Sequence, residues 1–206
     1  MDIIPLVLIV FGYIIGAIPS GYIVTKYVKD IDLRSMGSGN VGATNVTRAL
    51  GFKMGLLVAI FDILKGFIAV LLAQIILPGN TPIIYIFIIG LAAIVGHNWS
   101  VFLRFSGGKG VATTLGVILR LLPVNFLIFV VIWIALTILT RYVSLGSILG
   151  AISLPISSVF LNYSSNYIIY TLILALSIIL THHENIKRLL QGQENRMSWP
   201  PNSQEG

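Results

Sequence analysis

FLIFVVIWIALTIL occupies residues 126–139, a continuous apolar run with no charge and no regular alternation of polar and apolar side chains. IIYIFIIGLAAIV, residues 83–95, reads the same way. Backbone groups in lipid must be hydrogen-bonded within their own segment, as a helix, or within a closed barrel. Barrel strands alternate over about ten residues, whereas these runs are longer and do not alternate, so they read as membrane-spanning helices. The composition agrees. Soluble domains carry about a quarter charged residues; here 10% are charged, 56% are hydrophobic and the mean hydropathy is +0.95, which leaves too little polar surface for water. The expected class is an all-α integral membrane protein.

A span needs roughly 20 residues, fewer where the membrane thins. Hydropathy and turn residues predict seven: 3–25, 54–77, 82–102, 111–122, 124–140, 142–161 and 166–181. The fourth is short and is parted from the fifth by Pro123; merging them would give six. The first run lacks the basic leader and short core of a secretory signal, so it reads as a retained helix. One polytopic domain over 1–197 and a disordered tail over 198–206 complete the expected organisation.

Charge chooses between six and seven. With seven helices and the N-terminus outside, one side receives Lys26, Lys29, Arg34, Arg48, Lys53, Arg104, Lys109, Arg141, Lys187, Arg188 and Arg196, eleven of the 13 basic residues. Arg120 faces the other side and Lys65 lies within a span. Cations collect in cytoplasmic loops, so this face and the C-terminus are cytoplasmic. Six helices would send the tail's cations outside. The net charge of +6 therefore needs no nucleic acid to explain it. Absent cysteine removes disulfides and thiolate chemistry, three histidines make a poor metal cage, and neither metal nor cofactor is expected.

Three clusters carry chemistry on that face. The first loop reads Gly37-Ser38-Gly39-Asn40-Val41-Gly42-Ala43-Thr44-Asn45-Val46-Thr47-Arg48. Closely spaced glycines let backbone N–H groups surround an anion. Ser38, Thr44, Asn40 and Asn45 add neutral donors, and Arg48 adds a forked cation. A helix beginning near Thr44 would favour the same anion. The spacing is not that of a nucleotide-binding phosphate loop. The second cluster runs from Gly96-His97-Asn98-Trp99 to Ser106-Gly107-Gly108-Lys109-Gly110, where Lys109 is a point charge at a helix start. His97 and Trp99 read equally well as interface residues.

The third is His182-His183-Glu184-Asn185-Ile186-Lys187-Arg188-Leu189, followed by Gly192 and Glu194. On a helix, His182, Asn185 and Arg188 fall within an arc of about 120°. A basic amphipathic tail on anionic lipid would explain the cations but not the His and Asn. Asp62 and Lys65, three apart within a span, read as a self-neutralising pair or as a substrate contact. Ser144 and Ser147 open the sixth helix, where serines often bond only to the preceding turn.

These clusters, in this order and with Pro19-Ser20-Gly21 before them, resemble the PlsY family of bacterial membrane acyltransferases. The likeness extends from about residue 12 to 196 and rests on Gly-Ser-Gly-Asn-x-Gly-Ala-Thr-Asn-x-x-Arg, Gly-Gly-Lys-Gly-Val-Ala-Thr and His-x-x-Asn-Ile-x-Arg-Leu. It implies seven helices with an external N-terminus. It also implies acyl transfer from an acyl phosphate to the 1-hydroxyl of glycerol 3-phosphate, giving lysophosphatidic acid and phosphate, in the cell (inner) membrane with the site on the cytoplasmic face. Ser106 and His183 stand where many relatives carry Lys and Arg, so neither is assigned a contact. Acyl-CoA-dependent glycerol phosphate acyltransferases share His-x-x-x-x-Asp; the fifth residues after His97, His182 and His183 are Phe102, Lys187 and Arg188.

The residues suit this chemistry. An acyl phosphate is already activated, so positioning and oxyanion donors suffice; a covalent acyl-Ser38 is possible but not required. Ser38, His182 and Asn185 are the expected catalytic residues. Gly37, Gly39, Asn40, Gly42, Thr44, Asn45, Arg48, His97, Gly107, Gly108, Lys109, Ser144, Ser147, Arg188 and Glu194 are the expected binding residues. The expected partners are the two phosphate substrates and membrane lipid. An organic-phosphate transporter is the competing class; it would need polar residues on both faces, and the outer connections, 78–81 and 162–165, are short and uncharged. Arg48→Ala and Lys109→Ala are each expected to weaken glycerol 3-phosphate use in folded protein. Unchanged kinetics in both variants would remove them from the site.

Overall fold

The computed structural model describes residues 3–37 and 39–197. Ser38 and the tail 198–206, expected to be disordered, lie outside the described residues. The regular elements are helices, with one isolated bridge between Ser100 and Ser106. The chain divides into two compact units, Met1–Leu121 and Leu122–Gly206.

In the first unit, α1 (Ile3–Ala17) and α2 (Ser20–Lys29) replace the unbroken helix expected over 3–25. Pro19 has no N–H and drives the preceding residue away from helical geometry, so the chain breaks at Ile18-Pro19. A short 3₁₀ turn at Leu33–Ser35 and α3 (Ala43–Leu50) lead into α4 (Phe52–Ile76). Next come α5 (Ile83–Asn98) and α6 (Val111–Leu121). The helix expected over 82–102 stops at Asn98, because residues 101–103 tighten into a 3₁₀ turn that Arg104 and Phe105 leave at φ 54° and 59°.

Glycines set the packing. Lipid gives helices no hydrophobic reason to associate, so close backbone approach through small residues must do it. α1 runs along α5, where a Cβ on Gly16 would overlap the Ala93 carbonyl oxygen. From the other side, a Cβ on Gly96 would meet the Ala17 nitrogen at 2.9 Å. Between α4 and α6, a Cβ on Gly66 would overlap the Thr113 carbonyl, and one on Gly116 would fall 2.8 Å from the Phe67 nitrogen. Leu8, Ala69, Ala73, Leu77, Ile89 and Ala93 fill the gaps between these contacts.

The second unit contains α7 (Pro123–Thr140), α8 (Val143–Phe160), α9 (Ser165–Thr181) and α10 (His183–Leu190). Pro123 opens α7 at the position where its missing N–H costs nothing. The expected break between residues 122 and 124 is therefore present. α8 packs on α7 and on α9. A Cβ on Gly146 would fall 2.9 Å from the Trp133 carbonyl oxygen, and one on Gly150 would press on the Phe129 ring. Asn125 adds a polar tie, donating to Ser157 at 2.8 Å and Ser158 at 2.9 Å. α10 turns away from α9 by 62°.

Among the described residues, four stretches are long and apolar enough to cross a membrane: Ile3–Lys29, Phe52–Ile76, Pro123–Thr140 and Val143–Phe160. The bent pair α9–α10 makes five if counted as one span, while α5 and α6 are shorter apolar helices. Ile138, Leu139 and Phe160 are more than two-thirds exposed. Large apolar faces left outward in this way suit lipid, not water.

Gly66→Ala should destabilise the protein by roughly 1–3 kcal/mol, because its methyl meets rigid backbone with no room to move. Gly79→Ala is the control, since its Cβ would meet nothing within 4 Å. Thermal unfolding in detergent decides: equal values for both variants would refute packing through Gly66.

Candidate functional site

In the first unit, the long loop expected to bind anions is pinned down. Leu33, Val41 and Val46 are buried with Val58 and Leu103, so the loop and α3 sit on a small apolar core of their own. Asn45 organises the polar side. It is buried, and its Nδ2 donates towards the carbonyls of Leu33 at 3.3 Å, Met36 at 2.9 Å and Asn40 at 2.9 Å. Gly37 turns with φ 55° directly against the Asn45 amide, where any side chain would collide. Asn40 accepts from the Gly42 N–H at 2.9 Å and donates to the Gly107 carbonyl at 3.2 Å. The two glycine-rich segments, far apart in sequence, are thereby joined.

α3 begins at Ala43 with Gly42 as its cap, one residue before the expected start. Thr44 and Arg48 lie on its exposed side. Arg34, in the same loop, pairs with Asp32 at 2.6 Å. That pairing, with the Arg34 hydrogen bonds foremost, holds the Asp32 carboxyl down at about 2. Across the Asn40 link, the Gly108 N–H donates to the His97 carbonyl at 2.9 Å, and Gly107 lies against the Asn98 backbone. Gly110 turns with φ 78° into α6. Lys109 is half-buried in this turn. A recess with room for about one water-sized group is bordered by Pro19, Ser20, Val41, Lys65, His97 and Gly107.

His97 is buried. Its Nδ1 stands 3.6 Å from Asp62, which also pairs with Lys65 at 2.8 Å and accepts from Ser20 Oγ. Sequence reasoning noted Asp62 and Lys65 but missed Ser20, whose only signal was its place in Pro19-Ser20-Gly21. Ser106 caps its own turn by donating to Leu103 at 2.7 Å.

In the second unit, Glu194 gathers the expected residues. Ser144 Oγ donates to its Oε1 at 2.8 Å, Asn185 Nδ2 to the same oxygen at 2.6 Å, and Arg188 Nε to its Oε2 at 2.8 Å. Burial alone would raise this carboxyl's pKa; the bonds from Asn185, Ser144 and Arg188 outweigh it and hold the group below its ordinary value. His182 sits at the bend between α9 and α10, with Nδ1 2.8 Å from the Ile178 carbonyl. A carbonyl only accepts, so Nδ1 carries the proton and Nε2 is the basic nitrogen of the neutral ring. Ser147 is not drawn to Glu194: it donates to Val143 at 2.9 Å and accepts from Trp133 at 3.2 Å. His183 is exposed, 3.4 Å from Glu184.

Comparisons with known proteins give one answer. A family profile described as glycerol-3-phosphate acyltransferase matches residues 6–192. The glycerol-3-phosphate acyltransferase of Thermoanaerobacter sp. (strain X514) is 46% identical over 188 residues, 91% of this chain and 93% of its own. That of Desulforudis audaxviator (strain MP104C) is 45% identical over 196 residues, covering 94% and 96%. Among solved structures, PlsY (YgiH), an integral membrane glycerol 3-phosphate acyltransferase, resembles this chain in its glycerol 3-phosphate form with a TM-score of 0.88. The identity is 43%, over 94% of this chain and 96% of that one. Its lysophosphatidic acid form gives a TM-score of 0.86 at 42% identity.

The depressed Glu194 pKa sets a pH dependence. The carboxylate contributes stability above its ordinary value of 4.5, and that contribution is lost as pH falls through the lower folded value. Between pH 7 and 3 the unfolding temperature of Glu194→Gln should therefore fall less than that of the unsubstituted protein. Identical pH profiles would show that the charge on Glu194 contributes nothing.

Proposed function

The chain belongs to the glycerol-3-phosphate acyltransferase family, and on that premise we propose that it transfers an acyl group from an acyl phosphate to the 1-hydroxyl of glycerol 3-phosphate. The products are lysophosphatidic acid and phosphate. The observation that carries this reading is the joining of the two glycine-rich segments by Asn40 and Gly107, since substrates that both bear phosphate require anion-binding backbone and cations held together. Seven spans, an external N-terminus, a cytoplasmic C-terminus and a site on the cytoplasmic face of the cell membrane belong to the same proposal. The one-sided distribution of Lys and Arg supports that topology.

Arg48 and Lys109 hold glycerol 3-phosphate by its phosphate, with Ser38 and Asn40 as neutral donors and Gly37, Gly39, Gly42, Gly107 and Gly108 as backbone. Asn45 serves as the brace that shapes this loop. The substrate hydroxyl attacks the acyl carbonyl, the bond from that carbon to the phosphate oxygen breaks, and phosphate leaves. In the second unit, His182 Nε2 and Asn185 are groups of the kind that accept a hydroxyl proton and donate to a developing oxyanion. Glu194 fixes Asn185, Ser144 and Arg188 by accepting from all three. The order of bond making and breaking needs no covalent acyl-enzyme, metal or cofactor.

The transporter reading loses its main sequence support. Asp62 and Lys65 are closed upon each other, Ser20, His97 and the Ile18 carbonyl.

The test is lysophosphatidic acid formation by purified protein in detergent or lipid, from labelled glycerol 3-phosphate with either acyl phosphate or acyl-CoA. Product is expected from acyl phosphate alone and should fall by about 10²-fold or more in Asn185→Ala and sharply in Ser38→Ala. Product from acyl-CoA would refute the donor. No product from either would refute the reaction.

A further inference from the structure

Asp62, on α4, lies within a span, and a carboxylate there is costly unless neutralised. Lys65, one turn along the same helix, suffices for that, with Nζ 2.8 Å from Asp62. Ser20 Oγ donates to the same carboxyl oxygen. A pair present only to cancel its own charge would need no imidazole. Yet His97 reaches in from the end of α5, Nδ1 facing that oxygen at 3.6 Å. At this distance the contact is electrostatic and orienting, not a hydrogen bond.

The far edge of the same ring meets the glycine turn. A Cβ on Gly108 would overlap His97 Nε2 and lie 2.7 and 2.8 Å from the two ring carbons beside it. These ring atoms are the three nearest obstacles, so it is the imidazole that demands glycine at 108. The His97 backbone holds the same residue, its carbonyl accepting from the Gly108 N–H at 2.9 Å. Gly107, next in the turn, is tied from the other side by Asn40. Lys109 follows directly.

We propose that Asp62 and His97 are a positioning pair for the turn that carries Lys109: Asp62 orients the imidazole, and the imidazole sets the placement of Gly108. Lys65 cancels the charge and anchors the assembly to the break in the first span, donating to the Ile18 carbonyl at 3.1 Å. His97 is thus not itself a ligand of the substrate; it acts through the turn. The inference rests on the proposed reaction, in which Lys109 holds the phosphate of glycerol 3-phosphate. A fault in placement should appear in KM for that substrate more than in kcat.

The experiment is steady-state kinetics with varied glycerol 3-phosphate on the full chain, for His97→Asn, Gly108→Ala and the two combined. Asparagine retains a polar group near Asp62 but does not extend to Gly108. His97→Asn is expected to raise KM by about 10- to 100-fold, the range seen when an outer support of a binding group is removed, with kcat within about threefold. Gly108→Ala drives a methyl into the ring and should raise KM further. Adding His97→Asn to Gly108→Ala should recover part of that loss, because the obstacle is gone. His97→Gln, nearer in volume, is measured in parallel so that a folded variant is at hand. A KM unchanged in the folded His97 variants, or a double variant no better than Gly108→Ala, overturns the positioning role. A loss confined to kcat overturns it too. Unsubstituted protein that makes no product under these conditions refutes instead the reaction on which the inference rests.

Discussion

Inside a bilayer, helices gain nothing hydrophobic by leaving lipid for each other, and this absence governs both units. What remains is the dispersion gained by close approach and the cost of any polar group left unanswered. Gly16, Gly96, Gly66 and Gly116 bring backbones near enough in the first unit for neighbouring helices to touch main chain to main chain. Gly146 does the same in the second, and Gly150 admits the Phe129 ring. Buried polar residues then fix which approach is made: Asn125 on two serines of α8, Trp133 on Ser147, Lys65 on the Ile18 carbonyl. Apolar side chains, plentiful everywhere, discriminate little.

The same economy shapes the polar loops. Asn45 and Glu194 each satisfy several partners at once, one donating to three carbonyls and the other accepting from three side chains. Each fixes the groups around it without needing a substrate to do so. Motif reasoning identifies such residues readily, but a spacing pattern shows that an Asn or Glu is present and not which way its side chain faces.

Much of the fold is legible in the chain. Continuous apolar runs give helices, Pro123 gives the division between α6 and α7, and the glycine-rich segments give the turns. The break at Ile18-Pro19 was less legible, since the apolar run continues across it and periodicity alone hides it. The end of α5 at Asn98 was missed for a similar reason: Val101, Phe102 and Leu103 prolong the hydropathy while the backbone has already tightened into 3₁₀ geometry. Of the site, the clusters themselves were visible, and the pairing of Ser144 with Glu194, 50 residues apart, was not. No local pattern records a contact of that range. The approach of His97 to Asp62 was equally hidden, because the histidine comes from another helix.

The interruption at Pro19 has a wider meaning. Where a helix breaks, carbonyls lose their helical amide partners, and here two accept from side chains elsewhere: Ala17 from Ser100 at 2.5 Å, and Ile18, which also accepts from the Ser20 N–H, from Lys65. The proline thereby creates two acceptors, and positions 65 and 100 supply their donors. Such positions are not independent in descent. A lineage that restored helix at Pro19 would take these acceptors from Ser100 and Lys65, and one that lost Lys65 would leave Asp62 without its cation and the Ile18 carbonyl with the Ser20 N–H alone. Substitution at any of the three should persist only in company with change at the others, so the break is inherited as a set.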